Sequence, residues 1–237
     1  QLSLSVENNV NLDIGNLPSQ IEFELNQFPA TRETIYAKMD LARSLTCLKL
    51  QQADSLRIKS KYLPPIARTC TNSDNQLKIQ QADTYSWQNI GQLLAKSVQE
   101  AKTLNDVRSQ SYALGQLGEL YEITQQLSSA KQLTEQALRL AQSIHAWDIA
   151  YRWQWQLGRI EINQENDIEN AIKNYKAAFE TLQSLRKDLT ALNPDIQFNF
   201  RDEVEPVYRE LVELLLQPKQ PSQANLKLAR NAIEELQ

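Results

Sequence analysis

The feature that most constrains this chain is a period of forty residues. The segment AKTLNDVRSQSYALGQLG, from Ala101 to Gly118, recurs as AQSIHAWDIAYRWQWQLG, from Ala141 to Gly158. Beyond the glycine the pattern continues, with one extra residue in the turn of the second copy: Leu117, Gly118, Tyr121, Ala130 and Ala137 recur as Leu157, Gly158, Glu161, Ala171 and Ala178. A repeat of this length with two helical stretches predicts a row of stacked helix pairs.

The small residues of the repeat indicate where helices approach each other. By periodicity Gly118 lies inside a helix, where glycine costs about 1 kcal/mol relative to alanine, so close helix packing is expected to offset it. Ala130 and Ala137 supply a facing small surface, as do Ala171 and Ala178. Only 5 of 237 residues are glycine, which also disfavours a sheet-rich fold. The predicted fold class is all-α.

Charge and reactive residues exclude several kinds of function. With 25 basic and 29 acidic residues, the net charge of -4 provides no basic excess for nucleic acid or a membrane surface. No apolar run approaches the length of a membrane span. Cys47 and Cys70 form no CxxC pair and are predicted to be idle or buried thiols. With His145 as the single histidine, no site with two imidazoles is possible, and no metal or cofactor is expected.

The predicted organisation is a helical array over 1–192 followed by C-terminal capping helices over 193–237. Clear repeats occupy about 106–144 and 147–192, and degenerate pairs occupy about 1–30 and 31–104. An irregular insert at about 52–78, with Pro64 and Pro65, separates the two helices of the second pair. In the C-terminal part, helices are predicted over about 203–217, with Pro206 in the first turn, and over 223–237. The last helix is expected to lead to a further domain downstream.

The unit resembles the tetratricopeptide repeat (TPR). In 111–142 the match rests on Leu117-Gly118-x-x-Tyr121 followed by Ala130, whereas in 151–182 Glu161 replaces the aromatic residue. The resemblance implies a right-handed α-solenoid with a concave groove that binds a peptide or protein segment. In its register the following residues face the groove: Tyr36, Asp40, Arg43, Tyr112, Gln116, Glu119, Arg152, Trp155, Gln156 and Arg159. Two other aromatic residues, Trp147 and Trp153, are predicted to be core.

Longer blocks resemble the TPR region of cyanobacterial CHAT-domain proteins. They are SQSYALGQLGELYE, DIAYRWQWQLGR, TLQSLRKDLTALNPDIQFNFRDEVEPVYRELVELLL and ANLKLARNAIEELQ. In that family a caspase-like CHAT domain, which carries the catalytic His and Cys, follows this region. The resemblance implies a non-catalytic scaffold that positions or regulates such a domain. Two alternatives stay open: a homo-oligomerisation module, with a homodimer as its product, and the scaffold part of an intact CHAT cysteine peptidase.

The sequence gives little indication of a catalytic site. His145 is predicted to be a solvated residue in a turn between repeats rather than a partner of a cysteine nucleophile. Arg152 and Arg159 are seven residues apart, two turns on one side of a helix, and suit an acidic peptide or a C-terminal carboxylate. Glu119 could instead pair with one of them. The compartment stays open, with the cytoplasm as the default and export as the alternative.

Overall fold

The computed structural model describes residues 17–51, 61–71, 85–165, 167–190 and 194–236. These ranges contain ten α-helices and no strand, which confirms the all-α prediction. The helices are α1 (Leu17–Gln27), α2 (Arg32–Gln51), α3 (Pro65–Thr71), α4 (Trp87–Thr103), α5 (Val107–Ile123), α6 (Leu127–Ser143), α7 (Trp147–Glu165), α8 (Ile168–Thr190), α9 (Pro194–Leu216) and α10 (Gln223–Glu234). None of these described helices has the length and apolar character needed to cross a membrane.

Helices α5 and α6 form an antiparallel hairpin held by small residues. The Ser111 hydroxyl donates to the Ala137 carbonyl (2.7 Å), and a Cβ placed on Gly118 would lie 3.3 Å from the Ala130 carbonyl oxygen. Residues nearer the C-terminal end of α5 therefore contact residues nearer the N-terminal end of α6, as in an antiparallel pair. The predicted close approach at Gly118 is confirmed, because any larger residue would press on the facing helix.

Helices α7 and α8 repeat this arrangement. A Cβ on Gly158 would lie 3.4 Å from the carbonyl oxygen of Ala171 and 2.4 Å from the Tyr175 ring. At the other end of the hairpin the Thr181 hydroxyl donates to the Gln154 side chain (2.9 Å). The two hairpins thus use equivalent glycines and alanines.

The first helices of successive hairpins lie parallel. Arg108 on α5 pairs with Asp148 on α7, forty residues later in sequence, and the Trp153 indole donates to the Ser111 hydroxyl (3.1 Å). The stacking extends to α2, where the Tyr36 ring lies 6.0 Å from that of Tyr112. Arg108 and Asp148 are thus one sequence period apart, whereas Tyr36 and Tyr112 are further apart because the insert lies between α2 and α4.

The same turn geometry recurs every twenty residues, between α4 and α5, α5 and α6, and α6 and α7. Asn105, Gln125 and His145 have φ of 55°, 63° and 55°, in the left-handed region. In each turn the next residue donates its N–H across the end of the helix, as in the bond from the Ala146 N–H to the Ala141 carbonyl (2.9 Å). This is the C-terminal helix cap that usually employs glycine. The prediction that His145 lies in an exposed turn is confirmed.

The degenerate pair consists of α2 and α4. Lys38, which is 1% exposed, reaches across to the Glu100 carboxylate with Nζ–O distances of 2.6 and 2.7 Å. Helix α4 thus takes the place of the second helix, which lies beyond the insert as predicted. The insert between them contains the short helix α3, while residues 52–60 and 72–84 lie outside the described residues. The same holds for residues 1–16 of the predicted first pair.

The C-terminal prediction was wrong in one respect. Helix α9 begins at Pro194 rather than near residue 203, so Pro206 lies inside the helix instead of in its first turn. Pro194 already provides the favoured first position, and burial of Val207 and Leu211 offsets the roughly 3 kcal/mol that an interior proline costs. Helix α10 forms as predicted, and the Ser222 hydroxyl caps its start by accepting from the Asn225 N–H (3.1 Å).

Candidate functional site

The candidate site is a cleft of about 380 Å³ along the first helices of the hairpins. Helices α5 and α7 form its floor, because their other faces are used in packing against α6 and α8. Parts of α2, α3 and α9 border it. The lining residues are Arg43, Pro65, Arg68, Thr69, Tyr112, Gln116, Glu119, Tyr151, Arg152, Trp153, Trp155, Gln156, Arg159 and Pro206.

Eight of the ten predicted groove residues line this cleft. Tyr36 and Asp40 do not. These eight residues follow one side of the helices, because residues three or four apart on a helix share a face. Whether these residues bind a ligand stays a prediction.

Three predicted residues have an internal role instead of facing outwards. Trp155, Gln156 and Arg159 are only 5%, 2% and 1% exposed. The Gln156 amide donates to the Thr134 hydroxyl (2.8 Å) and to the Gly115 carbonyl (3.2 Å), which ties α7 to both helices of the preceding hairpin. Most of their polar atoms are thus engaged within the fold.

Arg159 forms a buried ion pair with Glu122. Its Nε and one Nη donate to the two carboxylate oxygens (3.0 and 3.1 Å), and its guanidinium carbon lies 4.8 Å from the centre of the Trp155 ring. Burial raises the pKa of the Glu122 carboxyl, and the attraction of Arg159 opposes that rise. Sequence analysis considered Glu119 as the internal partner, whereas the structure provides Glu122, one helical turn further along α5.

Glu210 on α9 is a second buried carboxylate beside the cleft. It accepts from the Trp155 indole (2.7 Å) and from the Tyr175 hydroxyl (2.5 Å), and it forms an ion pair with Arg68. Burial raises the pKa of Tyr175, so its hydroxyl remains a donor at neutral pH. Glu210 therefore joins α9 and α3 to the floor of the cleft.

The cysteine prediction was wrong. Cys47 on α2 and Cys70 on α3 form a disulfide, with their Cα atoms 5.3 Å apart. Spacing along the chain could not indicate this pairing, because it depends on how the insert folds back. Ile66 and Ala67 of α3 pack with Leu50 and Ile123 beside this bond. The bond and these contacts together fix α3 against the helix row.

The remaining wall of the cleft is more open. Arg43 is exposed, and Gln116, Glu119 and Arg152 are partly exposed. The Arg152 guanidinium carbon lies 5.5 Å from the centre of the Tyr151 ring. This wall offers guanidinium and amide donors to a ligand.

Tyr112 forms the aromatic end of that wall. Its ring lies between those of Tyr36 (6.0 Å) and Trp153 (5.9 Å). Burial raises the pKa of Tyr112, so it stays a neutral hydroxyl at neutral pH. It can therefore act as a hydrogen-bonding group beside the arginines.

The other predicted aromatic and reactive residues lie elsewhere. Trp153 is core, as predicted, but Trp147 is 41% exposed and contacts His145, with ring centres 5.7 Å apart. Trp147 begins its helix next to the turn, where the described helices cover its side chain only in part. Within the described ranges there is no group of three or more His, Cys, Asp or Glu side chains that could hold a metal ion.

Sequence reasoning missed Arg68 and Glu210. Glu210 lies on the apolar face of α9 between Val207 and Leu214, so its position could have indicated that its side chain is buried. Arg68 gave no comparable signal, because the insert has no periodicity from which to read a face.

A comparison of the sequence with models of known protein families and with curated proteins finds no match.

Proposed function

We propose that this chain is a non-catalytic interaction scaffold of the TPR class that binds a short acidic or C-terminal protein segment in the cleft. The observation that carries this proposal is the composition of the lining, in which four of fourteen residues are arginines and one is acidic. Arginine suits a carboxylate because its donors form a planar fork. Arg43 and Arg152 are the proposed recognition residues, because both lie on the more open wall of the cleft.

The solenoid assignment is part of the same proposal. Its support is the parallel stacking of α2, α5 and α7, the forty-residue offset between paired residues, and the matching glycine contacts in two hairpins. Such rows curve, and their inner face accommodates extended segments. The resemblance of the C-terminal blocks extends the proposal to a parent protein in which the scaffold positions a CHAT peptidase domain.

Binding of a defined peptide tests the proposal. The probe is a fluorescein-labelled, glutamate-rich decapeptide with a free C-terminus, and its amidated and lysine-substituted forms serve as controls. Fluorescence anisotropy at low salt is expected to show binding that weakens at least tenfold in the Arg43→Ala/Arg152→Ala variant. The matched control is Arg139→Ala, which removes an exposed arginine of α6 far from the cleft. Equal binding by both variants contradicts the proposal.

Self-association is a second candidate function. The apolar face of α9 is buried within the chain and offers no dimer surface, since Val207 and Leu211 are 0% exposed. However, Leu226 and Ile233 on α10 are 40% and 45% exposed at the end of the row. Sedimentation at several protein concentrations distinguishes self-association from peptide binding, because a chain that only binds a peptide sediments as a monomer at every concentration.

A further inference from the structure

The segment 61–71 spans the helix row and is attached on both sides. On one side Cys70 is bonded to Cys47 of α2. On the other, Arg68 and Lys61 form ion pairs with Glu210 and Glu213 of α9. A segment of the insert thus connects two helices that are distant in sequence.

The contacts of this segment are those of a bound peptide. The Arg68 guanidinium carbon lies 5.7 Å from the centre of the Trp155 ring, and its charge is met by Glu210. Tyr62 is 4% exposed and packs into the same apolar cluster as Tyr151 and Trp155. One cation on an aromatic ring and a carboxylate, with one aromatic residue in an apolar pocket, is a common form of peptide recognition.

We propose that residues 61–71 are an internal ligand of this face, held there by the Cys47–Cys70 disulfide. Reduction of the disulfide releases them and exposes the Trp155–Glu210 surface. That surface then takes a partner segment that presents an arginine and an aromatic residue, as the internal ligand does. This surface adjoins the cleft of the acidic-peptide proposal and shares Arg68 and Trp155 with its lining. The inference goes beyond that proposal because its ligand carries the opposite charge, so a different probe tests it.

The redox step is a thiol–disulfide exchange with a dithiol reductant. A thiolate of the reductant attacks the sulfur of Cys47, which is partly exposed, whereas Cys70 is 5% exposed. The Cys47–Cys70 bond breaks, Cys70 leaves as a thiolate, and a mixed disulfide joins Cys47 to the reductant. The second thiolate of the reductant then attacks the reductant sulfur of that bond, and Cys47 leaves as a thiolate. Cys47 and Cys70 gain two electrons and two protons to become thiols, and the reductant becomes a disulfide.

The local structure indicates why the tether matters. Helix α3 has seven residues, fewer than an isolated helix needs to persist in water. Lys61 and Glu213 are 58% and 48% exposed, and exposed ion pairs contribute little. Without the disulfide the segment keeps the ion pairs of Arg68 and Lys61, the bond from the Gln51 side chain to the Cys70 carbonyl (3.4 Å) and its apolar contacts. Reduction thus removes the one covalent link to α2 other than the backbone, and a partner then competes with a segment that the backbone still holds nearby.

Hydrogen exchange of the whole chain tests the release. Reduction is expected to accelerate amide exchange in 61–71 at least tenfold while 107–123 in α5 remains protected. A Cys47→Ser/Cys70→Ser variant is expected to match the reduced chain and to show no response to reductant. Unchanged protection of 61–71 in the reduced wild-type chain overturns the proposal, and the unchanged α5 excludes general unfolding as the cause.

Binding of a separate peptide tests which residues in a partner segment the released surface recognises. The probe is a fluorescein-labelled peptide of residues 61–71 carrying Cys70→Ser. It is expected to bind the Cys47→Ser/Cys70→Ser/Arg68→Ala chain at least tenfold more tightly than the oxidised wild-type chain. A control peptide with Tyr62→Ala and Arg68→Ala is expected to lose this binding. Equal affinity for both chains, or for both peptides, overturns the inference. If circular dichroism shows that the triple variant is unfolded, the same comparison is made with the reduced wild-type chain.

Discussion

Arg159 and Glu122 form a two-point ion pair between α7 and α5 in which each side chain is only 1% exposed. One Nη nitrogen of Arg159 has no hydrogen-bond partner among the described residues. Because both charges lie out of water, each is stable there only while the other is present. The pair therefore holds two successive hairpins in register.

Removing one charge of this pair should destabilise the fold strongly. We expect Arg159→Met to lower the free energy of unfolding by about 3–5 kcal/mol, because it leaves Glu122 buried and uncompensated. The double variant Arg159→Met/Glu122→Leu should be less destabilised than the single one, since no charge then stays buried. Urea denaturation followed by circular dichroism measures both. Equal losses in the two variants would be inconsistent with a compensated pair.

Two glycines that look alike in sequence should respond in opposite ways. A Cβ on Gly115 would lie 2.2 Å from the Trp153 ring, whereas one on Gly91 would meet only the Leu120 side chain at 3.6 Å. Gly115→Ala should therefore destabilise the chain by about 1–3 kcal/mol through overpacking. Gly91→Ala should stabilise it by up to about 1 kcal/mol through helix propensity. Thermal melts of the two variants measure both changes in stability. A Gly115→Ala variant as stable as the wild-type chain would show that Trp153 can move aside.

Relief of backbone strain should stabilise the turn at His145. With φ of 55°, this residue has a conformation that costs an L-residue about 1–2 kcal/mol, whereas glycine adopts it freely. We expect His145→Gly to raise stability by about 0.5–1 kcal/mol after its greater unfolded-state entropy is included. His145→Ala retains the Cβ and should give no gain. An equal effect of both substitutions would point to the imidazole ring rather than to the backbone.

Asp106 should make stability depend on pH. Burial raises the pKa of this carboxyl, but hydrogen bonds from Arg32 (2.6 Å) and Ser109 (3.1 and 2.8 Å) outweigh it and lower the pKa overall. Because the folded pKa is below the unfolded one, the stabilisation is complete above the ordinary aspartate pKa of about 3.9. It is lost as pH falls through the folded pKa.

The matched variant for that titration is Asp106→Asn. Asparagine caps a helix as well as aspartate does but carries no charge. The wild-type chain should be the more stable at pH 7, and its advantage should shrink as pH falls below about 4. Unfolding curves recorded at several pH values give this difference directly. A stability difference that stays constant across the pH range would mean that ionisation of Asp106 does not stabilise the fold.

Much of the hairpin arrangement was predictable from the sequence. The spacing of Gly118, Ala130, Gly158 and Ala171 indicated which helices touch, because only small residues allow that approach. The same register indicated eight residues that line the cleft. Three of them, Trp155, Gln156 and Arg159, are nevertheless buried in internal contacts, because periodicity gives the side of a helix on which a residue lies and not what covers that side.

By itself, then, the sequence determined the all-α class, the pairing of α5 with α6 and of α7 with α8, and the side of α5 and α7 that these pairings leave for other contacts. These properties depend on local periodicity and on neighbours within one repeat of forty residues. Only the tertiary structure decided that the insert covers part of this face, that Cys47 and Cys70 are bonded, and that Glu210 and Glu122 engage two of the arginines. Arg68 and Glu210 are 142 positions apart, and the insert that contains Arg68 and Cys70 has no periodicity that relates it to the repeats. For Arg159 and Glu122, periodicity gives the facing helices but not which side chains on them pair.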